Sequence, residues 1–309
     1  MGNKKVILVT GSDLAEQAVA MLGDYEMVYA GRQPTEAQLI ALCEQYNPVA
    51  ILVRYGKITA RIMDAAPGLK VISKHGSGID VIDQAAAAER NIAVCSAPGA
   101  NAAAVAEHTW AMILACAKSV VSLDKRLRDG HWDKSTHKSL ELEGLTLGLI
   151  GLGAIGSRVA TVGNAFGMRV LAYDPFAKTL PSSCERAETL NDLLSSADVI
   201  SLHCPLTADN RGMVNAETLA RCKRGAILVN TARGGLIDDN ALIHALDEGI
   251  LRSAALDSFT VEPLAAPHVW QGREDVIISP HIGGVSEASY IKMGTVAAGN
   301  ILQVLNTSR

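Results

Sequence analysis

Three glycines follow a short apolar run near the middle of the chain, in the segment Leu-Gly-Leu-Ile-Gly-Leu-Gly-Ala-Ile-Gly at residues 147–156. Gly151 lets a buried strand turn tightly, Gly153 leaves room for a pyrophosphate beside the backbone, and Gly156 lets the following helix pack closely on the strand. The free N–H groups and the positive dipole end of that helix would face the phosphates. The segment therefore predicts a dinucleotide-binding unit.

The residues after the glycines complete this unit. The pattern predicts a helix over Ser157–Phe166 and a second strand over Arg169–Tyr173, and Asp174 stands at the tip of that strand. A carboxylate at this position accepts hydrogen bonds from a ribose diol and repels a 2′-phosphate. The three residues that follow Asp174 include no arginine. We therefore expect NAD rather than NADP as the cofactor.

Strand-like and helical segments alternate along most of the chain, which predicts an α/β fold with two doubly wound parallel sheets. In the first hundred residues the predicted strands are Lys5–Val9, Glu26–Ala30, Val49–Val53, Lys70–Ser73 and Ile92–Cys95. The helices predicted between them are Leu14–Leu22, Glu36–Tyr46, Thr59–Ala66 and Asp83–Arg90. The later predicted strands are Asp198–His203, Ala226–Asn230, Ser253–Leu256 and Val276–Ile278.

The length of 309 residues exceeds what one hydrophobic core usually serves, so we expect two domains. A long helix is predicted over Ala102–Arg128, ahead of the glycine motif. The final helix, Glu287–Leu305, is too short to form a domain and is expected to pack on the first sheet. We therefore expect a Rossmann NAD-binding domain, residues 100–285, inserted into a flavodoxin-like substrate domain, residues 1–99 and 286–309.

The composition argues against several classes of partner. The net charge of −4 and the pI of about 6.1 are not those of a nucleic-acid-binding surface. The most apolar helical stretch is interrupted by charged residues and is too short to span a bilayer. The six cysteines show no C-x-x-C spacing, and the chain opens without a secretory signal. We expect a cytoplasmic protein with reduced thiols, no metal site and no nucleic-acid or membrane partner.

Three loops that follow predicted strands carry candidate chemistry. Arg233 stands among small residues, and its guanidinium has the geometry to bind a carboxylate through two hydrogen bonds; the alternative is a surface arginine that caps a loop. His281 lies between a proline and a glycine pair and could exchange a proton near neutral pH; the alternative is a histidine that only hydrogen-bonds within its loop. Asp257 ends a strand and Glu262 follows it. A carboxylate beside a catalytic histidine fixes its tautomer, although Glu262 could equally be a solvated acid.

Four motifs occur in the order Gly-Leu-Gly-Ala-Ile-Gly, Asn-Thr-Ala-Arg-Gly-Gly-Leu-Ile-Asp, Ala-Leu-Asp-Ser-Phe-x-x-Glu-Pro and Ser-Pro-His-Ile-Gly-Gly. With Gly76–Asp80 and Val105–Thr109, they resemble the D-isomer-specific 2-hydroxy acid dehydrogenase family over essentially the whole chain. The resemblance implies that His281 is the acid/base, Glu262 its partner and Arg233 the anchor of the substrate carboxylate. The cofactor-binding residues that we expect are Gly151, Gly153, Ile155, Gly156, Asp174, Pro205, Thr231, Ala232, Arg233, Asp257, His281, Gly283 and Gly284.

The expected activity is NAD-dependent interconversion of a D-2-hydroxy acid and its 2-keto acid. Ser77 and Gly78 would assist Arg233 in holding the carboxylate, through their backbone N–H groups, in a cleft between the two domains. Arg54 and Lys74 could bind a second anionic group, as in 3-phosphoglycerate; the alternative is two surface cations at strand ends. A small-acid enzyme, such as a glyoxylate or hydroxypyruvate reductase, is the alternative function. If the substrate is 3-phosphoglycerate, we expect a form without the C-terminal regulatory extension of many such enzymes.

Two other classes are open at this point. An NAD-sensing, corepressor-like binding protein would share the fold, although extra interaction segments are not evident. A formate-dehydrogenase-like enzyme would share the cofactor domain, but such enzymes normally carry Gln where Glu262 stands. We also expect a homodimer, because the long helix after Ala102 is apolar over more of its surface than one contact face needs and because related enzymes pair through this region.

Overall fold

The computed structural model describes residues 4–307, which form two compact units. The first unit consists of the described residues within Met1–Asn101 and Val285–Arg309, and the second comprises Ala102–Gly284. Among the described residues, no helix is long and apolar enough to cross a membrane, and no group of His, Cys, Asp or Glu side chains is arranged to hold a metal ion.

The first unit is built on a five-stranded parallel sheet in the order β2-β1-β3-β4-β5. Its strands are β1 Val6–Val9, β2 Glu26–Tyr29, β3 Ala50–Val53, β4 Val71–Lys74 and β5 Ala93–Cys95. Its helices are α1 Glu16–Met21, α2 Glu36–Tyr46, α3 Ala60–Asp64, α4 Gln84–Glu89 and α11 Glu287–Thr307. This strand order is that of flavodoxin-like folds. The final helix packs on α1 and β4, as the sequence predicted.

Both faces of the first sheet are covered. One core cluster includes Ile51, Val53 and Ile72, and the other joins Ile7 and Leu52 to apolar residues of α11. Every residue of β3 is buried. A strand covered on both faces is apolar at successive positions, which is the pattern of the runs from which these strands were predicted.

The second unit is built on a seven-stranded parallel sheet in the order β12-β11-β10-β9-β6-β7-β8. Its strands are β6 Thr146–Ile150, β7 Arg169–Tyr173, β8 Glu185–Arg186, β9 Val199–Leu202, β10 Ala226–Asn230, β11 Leu251–Leu256 and β12 Val276–Ile278. Its helices are α5 Ala102–Lys118, α6 Val120–Arg128, α7 Ala154–Ala165, α8 Leu190–Ser196, α9 Ala216–Leu219 and α10 Asp239–Asp247. The strand order reverses between β6 and β9, as in a Rossmann fold. The predicted fold class is confirmed.

Two predicted helices differ from the structure, one by a break and the other in its first residue. The helix expected over Ala102–Arg128 is broken at Ser119, which has a left-handed φ of 55°. At the break, the Ala117 carbonyl accepts a hydrogen bond from the Leu140 N–H at 2.9 Å, so a distant segment satisfies the end of α5. Helix α7 begins at Ala154, three residues before the predicted start, and Gly156 therefore lies in its first turn.

Candidate active site

The glycine loop, which contains Gly151, Gly153 and, in the first turn of α7, Gly156, lies at the carboxyl end of β6. A side chain at each of these positions would have a different steric consequence. Gly151 has a φ of 95°, and a Cβ on it would come within 2.8 Å of the Cys204 backbone nitrogen. A Cβ on Gly156 would lie 2.3 Å from the Gly151 carbonyl oxygen. Within the described part of the chain, a Cβ on Gly153 would meet nothing within 4 Å, and no side chain caps the N-terminus of α7 there. This combination of open space and uncapped helix N–H groups fits a dinucleotide pyrophosphate.

Asp174 follows β7 at the same edge of the sheet. Its carboxylate accepts hydrogen bonds from the Leu152 N–H at 2.8 Å, in the glycine loop, and from the Phe176 and Ala177 N–H groups at 2.9 and 3.2 Å. A carboxylate has about four acceptor sites, so at least one is left for a ribose hydroxyl. The added negative charge of a 2′-phosphate would be repelled here.

Arg233 lies in the loop after β10. The side chain of Asn230, the last residue of β10, holds this loop through hydrogen bonds. The fully buried Asn230 side chain accepts from the Ala232 N–H and donates to the Arg233 carbonyl, both at 2.9 Å. The half-buried Arg233 side chain donates to the Ala232 carbonyl at 2.8 Å. A Cβ on Gly234 would lie 2.0 Å from the carbonyl carbon of Phe259. The backbone of the Arg233 loop therefore packs directly on the loop that leads to Glu262.

Glu262 and His281 form the central pair of the site. His281 Nδ1 lies 2.7 Å from Glu262 Oε2, and Glu262 Oε1 accepts the Phe259 N–H at 2.8 Å. Burial raises the pKa of Glu262, but the hydrogen bonds from His281 and Phe259 and the charges of His281 and Arg233 outweigh it, so the pKa is lower than usual. An ionised Glu262 accepts a hydrogen bond from the Nδ1–H group of His281, which leaves Nε2 of His281 to exchange a proton with the substrate.

The loop of His281 is fixed by Asp257, whose side chain is 2% exposed. Its carboxylate accepts from the Ser279 hydroxyl at 2.6 Å and from the Ile282 and Gly283 N–H groups at 2.9 and 2.8 Å. His281 itself has a φ of 54°. Asp257 thus holds the loop on both sides of a residue in a left-handed conformation, and its predicted contact with the cofactor stays a prediction.

The remaining predicted cofactor contacts belong to the same unit. Ile155 is half-buried in the first turn of α7, and Pro205 is exposed after β9, where its carbonyl accepts from Asn210 Nδ2 at 2.7 Å. Thr231 is buried beside the half-buried Ala232, and Gly284 is the last residue of the unit. Their role in binding NAD stays a prediction.

The predicted substrate residues Arg54, Lys74, Ser77 and Gly78 belong to the first unit. The catalytic trio predicted from the family resemblance, Arg233, Glu262 and His281, belongs to the second. Ser77 is exposed and Gly78 is half-buried in the loop after β4. Lys74 Nζ donates to the Arg54 carbonyl at 3.0 Å.

Arg54 has a partner that the sequence did not indicate. Its guanidinium pairs with the Asp13 carboxylate and lies 5.2 and 5.0 Å from the ring centres of Tyr55 and Tyr290, which leaves the side chain 11% exposed. The Tyr290 hydroxyl donates to Asp13 Oδ1 at 2.6 Å, and this bond, with Arg54, lowers the Asp13 pKa. Asp13 and Tyr290 are 277 positions apart, so no local pattern could have joined them.

Residues 110–283 match the sequence model of the D-isomer specific 2-hydroxyacid dehydrogenase, NAD binding domain. The chain is 40% identical over 303 residues to the D-3-phosphoglycerate dehydrogenase of Methanocaldococcus jannaschii, covering 97% of this chain and 57% of that protein. It is 40% identical over 251 residues to the hydroxypyruvate reductase of Thermotoga maritima, covering 81% of this chain and 82% of that protein. The structure resembles the TT0316 protein of Thermus thermophilus with a TM-score of 0.90 and 39% identity, over 98% and 97% of the two chains. The chain thus spans little more than half the length of the phosphoglycerate dehydrogenase that it matches.

Proposed function

Since the chain belongs to the D-isomer specific 2-hydroxyacid dehydrogenase family and contains its NAD binding domain, we propose that it interconverts a D-2-hydroxy acid and the corresponding 2-keto acid. The observation that carries this proposal is the 2.7 Å contact between Glu262 and His281 beside the loop of Arg233. Reduction of a 2-keto acid needs a group that donates a proton, here the imidazole of His281, and a cation that binds the carboxylate, here Arg233.

Each member of the trio has a distinct task in this mechanism. The guanidinium of Arg233 binds the substrate carboxylate and orients the keto carbon. His281 gives the proton on Nε2 to the keto oxygen, and neutral His281 takes it back in the oxidation direction. Glu262 keeps the other proton on Nδ1 and stabilises the imidazolium. NAD, when bound, carries the hydride that is exchanged with the substrate carbon.

We infer a preference for NADH over NADPH from Asp174. Its carboxylate lies against the glycine loop through the Leu152 N–H, where the adenosine ribose of a dinucleotide is expected. Repulsion of the 2′-phosphate is the physical basis of the discrimination.

Two classes of substrate are supported by different observations. The similarity to D-3-phosphoglycerate dehydrogenases favours a substrate with a second anionic group, for which Arg54 and Lys74 are the candidate ligands. The pairing of Arg54 with Asp13 favours a small substrate without a second anion, as in glyoxylate or hydroxypyruvate reduction, because the guanidinium is already neutralised. The match to a hydroxypyruvate reductase over most of both chains supports the second class.

The test is a panel of 2-keto acids assayed with NADH and with NADPH. Glyoxylate, pyruvate and hydroxypyruvate represent monoanions, and phosphohydroxypyruvate represents the substrates with a phosphate group. Turnover of any of them, lost in His281→Ala and Arg233→Ala, supports the proposal. NADH binding without turnover of any 2-keto acid would contradict it and favour the NAD-sensing binding protein.

We also propose that the protein is a cytoplasmic homodimer. Helix α6 has no buried residue, and the surface around it exposes large apolar side chains, with Trp132 76% exposed. The others are Val120, Val121 and Leu127. An apolar patch of this kind marks an interaction site, and a second copy offers an identical patch across a two-fold axis. Light scattering measures the mass, and a monomer at micromolar concentration would contradict the dimer.

A further inference from the structure

Two consecutive residues of α5, His108 and Thr109, form hydrogen bonds with two different loops of the candidate active site. Successive residues of an α-helix point about 100° apart. One helix position can therefore face the loop that carries Arg233 while the next faces the loop that carries His281. The proposed mechanism assigns no task to either residue.

Thr109 reaches the loop of Arg233. It is fully buried, its hydroxyl donates to the Val105 carbonyl at 2.8 Å, and its Oγ1 lies 2.8 Å from Oγ1 of Thr231. A hydroxyl has one proton, and the bond to Val105 uses it. Thr231 must therefore donate to Thr109. This bond ties the loop to the helix two residues before Arg233.

His108 reaches the loop of His281. Its Nε2 lies 3.0 Å from the Ser279 hydroxyl and 3.4 Å from Asp257 Oδ1. Ser279 donates its one proton to Asp257 at 2.6 Å, so it can only accept from His108. The proton that His108 must supply therefore resides on Nε2.

The imidazole of His108 also packs against the far side of the same loop. A Cβ on Gly283 would lie 3.3 Å from Cδ2 of His108 and 2.9 Å from Asp257 Oδ2. His108 thus bonds to the residue two positions before His281 and leaves little room for a side chain on the residue two positions after it. A loop that is held on both sides has little freedom to rotate the imidazole away from Glu262.

We propose that His108 and Thr109 are positioning residues that set the geometry of His281 and Arg233, respectively. This inference rests on the proposed function. The two residues act through different partners, so their effects on catalysis differ. Loss of the His108 bond disturbs proton transfer and lowers kcat, whereas loss of the Thr109 bond disturbs carboxylate binding and raises KM for the keto acid.

The experiment compares His108→Leu and Thr109→Val with the conservative variants His108→Gln and Thr109→Ser. We expect about a 10-fold lower kcat for His108→Leu and about a 10-fold higher KM for Thr109→Val, with the Kd for NADH changed less than about 3-fold in both. The conservative variants retain a donor or a hydroxyl and should restore most of the loss. Equal effects of both substitutions on kcat and KM would overturn the assignment.

Two matched controls lie elsewhere in the same unit. Thr161 of α7 also donates to the carbonyl four residues earlier, that of Ser157 at 3.0 Å, but it is exposed. His244 is exposed in the last turn of α10. Thr161→Val and His244→Leu should leave kcat and KM within about 2-fold of wild type, and thermal melts of all variants exclude general unfolding.

Double variants separate positioning from a general structural effect. His108→Leu should cause no further loss in a His281→Ala background, and Thr109→Val none in an Arg233→Ala background. Full additivity would overturn the proposal.

A readout independent of turnover is the ¹⁵N NMR signal of His281 Nδ1–H bonded to Glu262. This signal should shift in His108→Leu and not in His244→Leu. An unchanged signal in His108→Leu would contradict the positioning role of His108. Absence of turnover in the wild-type protein would contradict only the proposed function.

Discussion

We expect the first unit to lose stability in acid because of the buried residue His75. Its side chain is 9% exposed after β4, its ring lies 5.3 Å from that of Tyr290, and its Nε2 has no hydrogen-bond partner among residues 4–307. Burial, together with the charges of Arg54 and Lys74, lowers its pKa from 6.5 to about 4. A charged imidazole at this position would be desolvated beside two cations, so the folded state holds His75 neutral.

The sign of the effect follows from the two pKa values. As the pH falls below 6.5, the unfolded chain binds a proton at His75 that the folded chain does not bind until about pH 4. The free energy of unfolding is therefore undiminished above pH 6.5 and decreases between pH 6.5 and 4. Each unit of the pKa difference corresponds to about 1.4 kcal/mol, so the free energy of unfolding falls by about 3 kcal/mol in total. About 2 kcal/mol of this decrease has occurred by pH 5.

The assay is urea unfolding at pH 7 and pH 5, followed by circular dichroism, for wild type and His75→Phe. The phenylalanine retains an aromatic ring beside Tyr290 and cannot titrate. Wild type should lose about 2 kcal/mol more between the two pH values than the variant. Tryptophan fluorescence reports on the second unit alongside circular dichroism, because all three tryptophans lie there. Equal losses of the free energy of unfolding in wild type and His75→Phe would refute the role assigned to His75.

Four further outcomes are expected from the active site and the surface. His281→Ala should lower kcat by about 100-fold or more with NADH affinity nearly unchanged, since it removes proton transfer; stopped-flow rates and NADH titration measure both. Asp174→Ala should lower the ratio of kcat/KM with NADH to kcat/KM with NADPH. A wild-type enzyme that prefers NADPH would contradict the role of Asp174 in cofactor choice. Asp13→Asn should raise kcat/KM for phosphohydroxypyruvate relative to glyoxylate by about 10-fold, because it removes the negative charge that neutralises Arg54, whereas an unchanged ratio would mean that Arg54 contacts no second anion. Trp132→Ser should weaken the dimer, measured as a lower mass by light scattering at the same concentration; an unchanged mass would place the interface elsewhere.

The sequence predicted those features that local patterns determine. The strand Ala226–Asn230 forms from a run that is apolar up to Val229, because parallel strands covered on both faces are apolar at successive positions. The pairing of Glu262 with His281 was expected from a family resemblance, and the structure brings the two together; their catalytic role stays a prediction.

What the sequence could not predict depends on contacts between distant segments. At the break at Ser119 the end of α5 is satisfied by the Leu140 N–H, and a helix pattern carries no information on a partner so far along the chain. The Asp13–Arg54–Tyr290 cluster needs three segments of the folded first unit. The early start of α7 was missed because glycine has a low helix propensity, although Gly156 lies inside the helix.

The contact between Gly234 and the Phe259 backbone bears on how such a protein can be re-engineered. With 2.0 Å between a Cβ on Gly234 and the Phe259 carbonyl carbon, even an alanine would force one of the two loops to move. Since Arg233 and Glu262 are carried by these loops, a library that varies one loop alone would mostly sample misaligned sites. The two segments should therefore be exchanged between homologues as a single cassette, with Gly234 held constant.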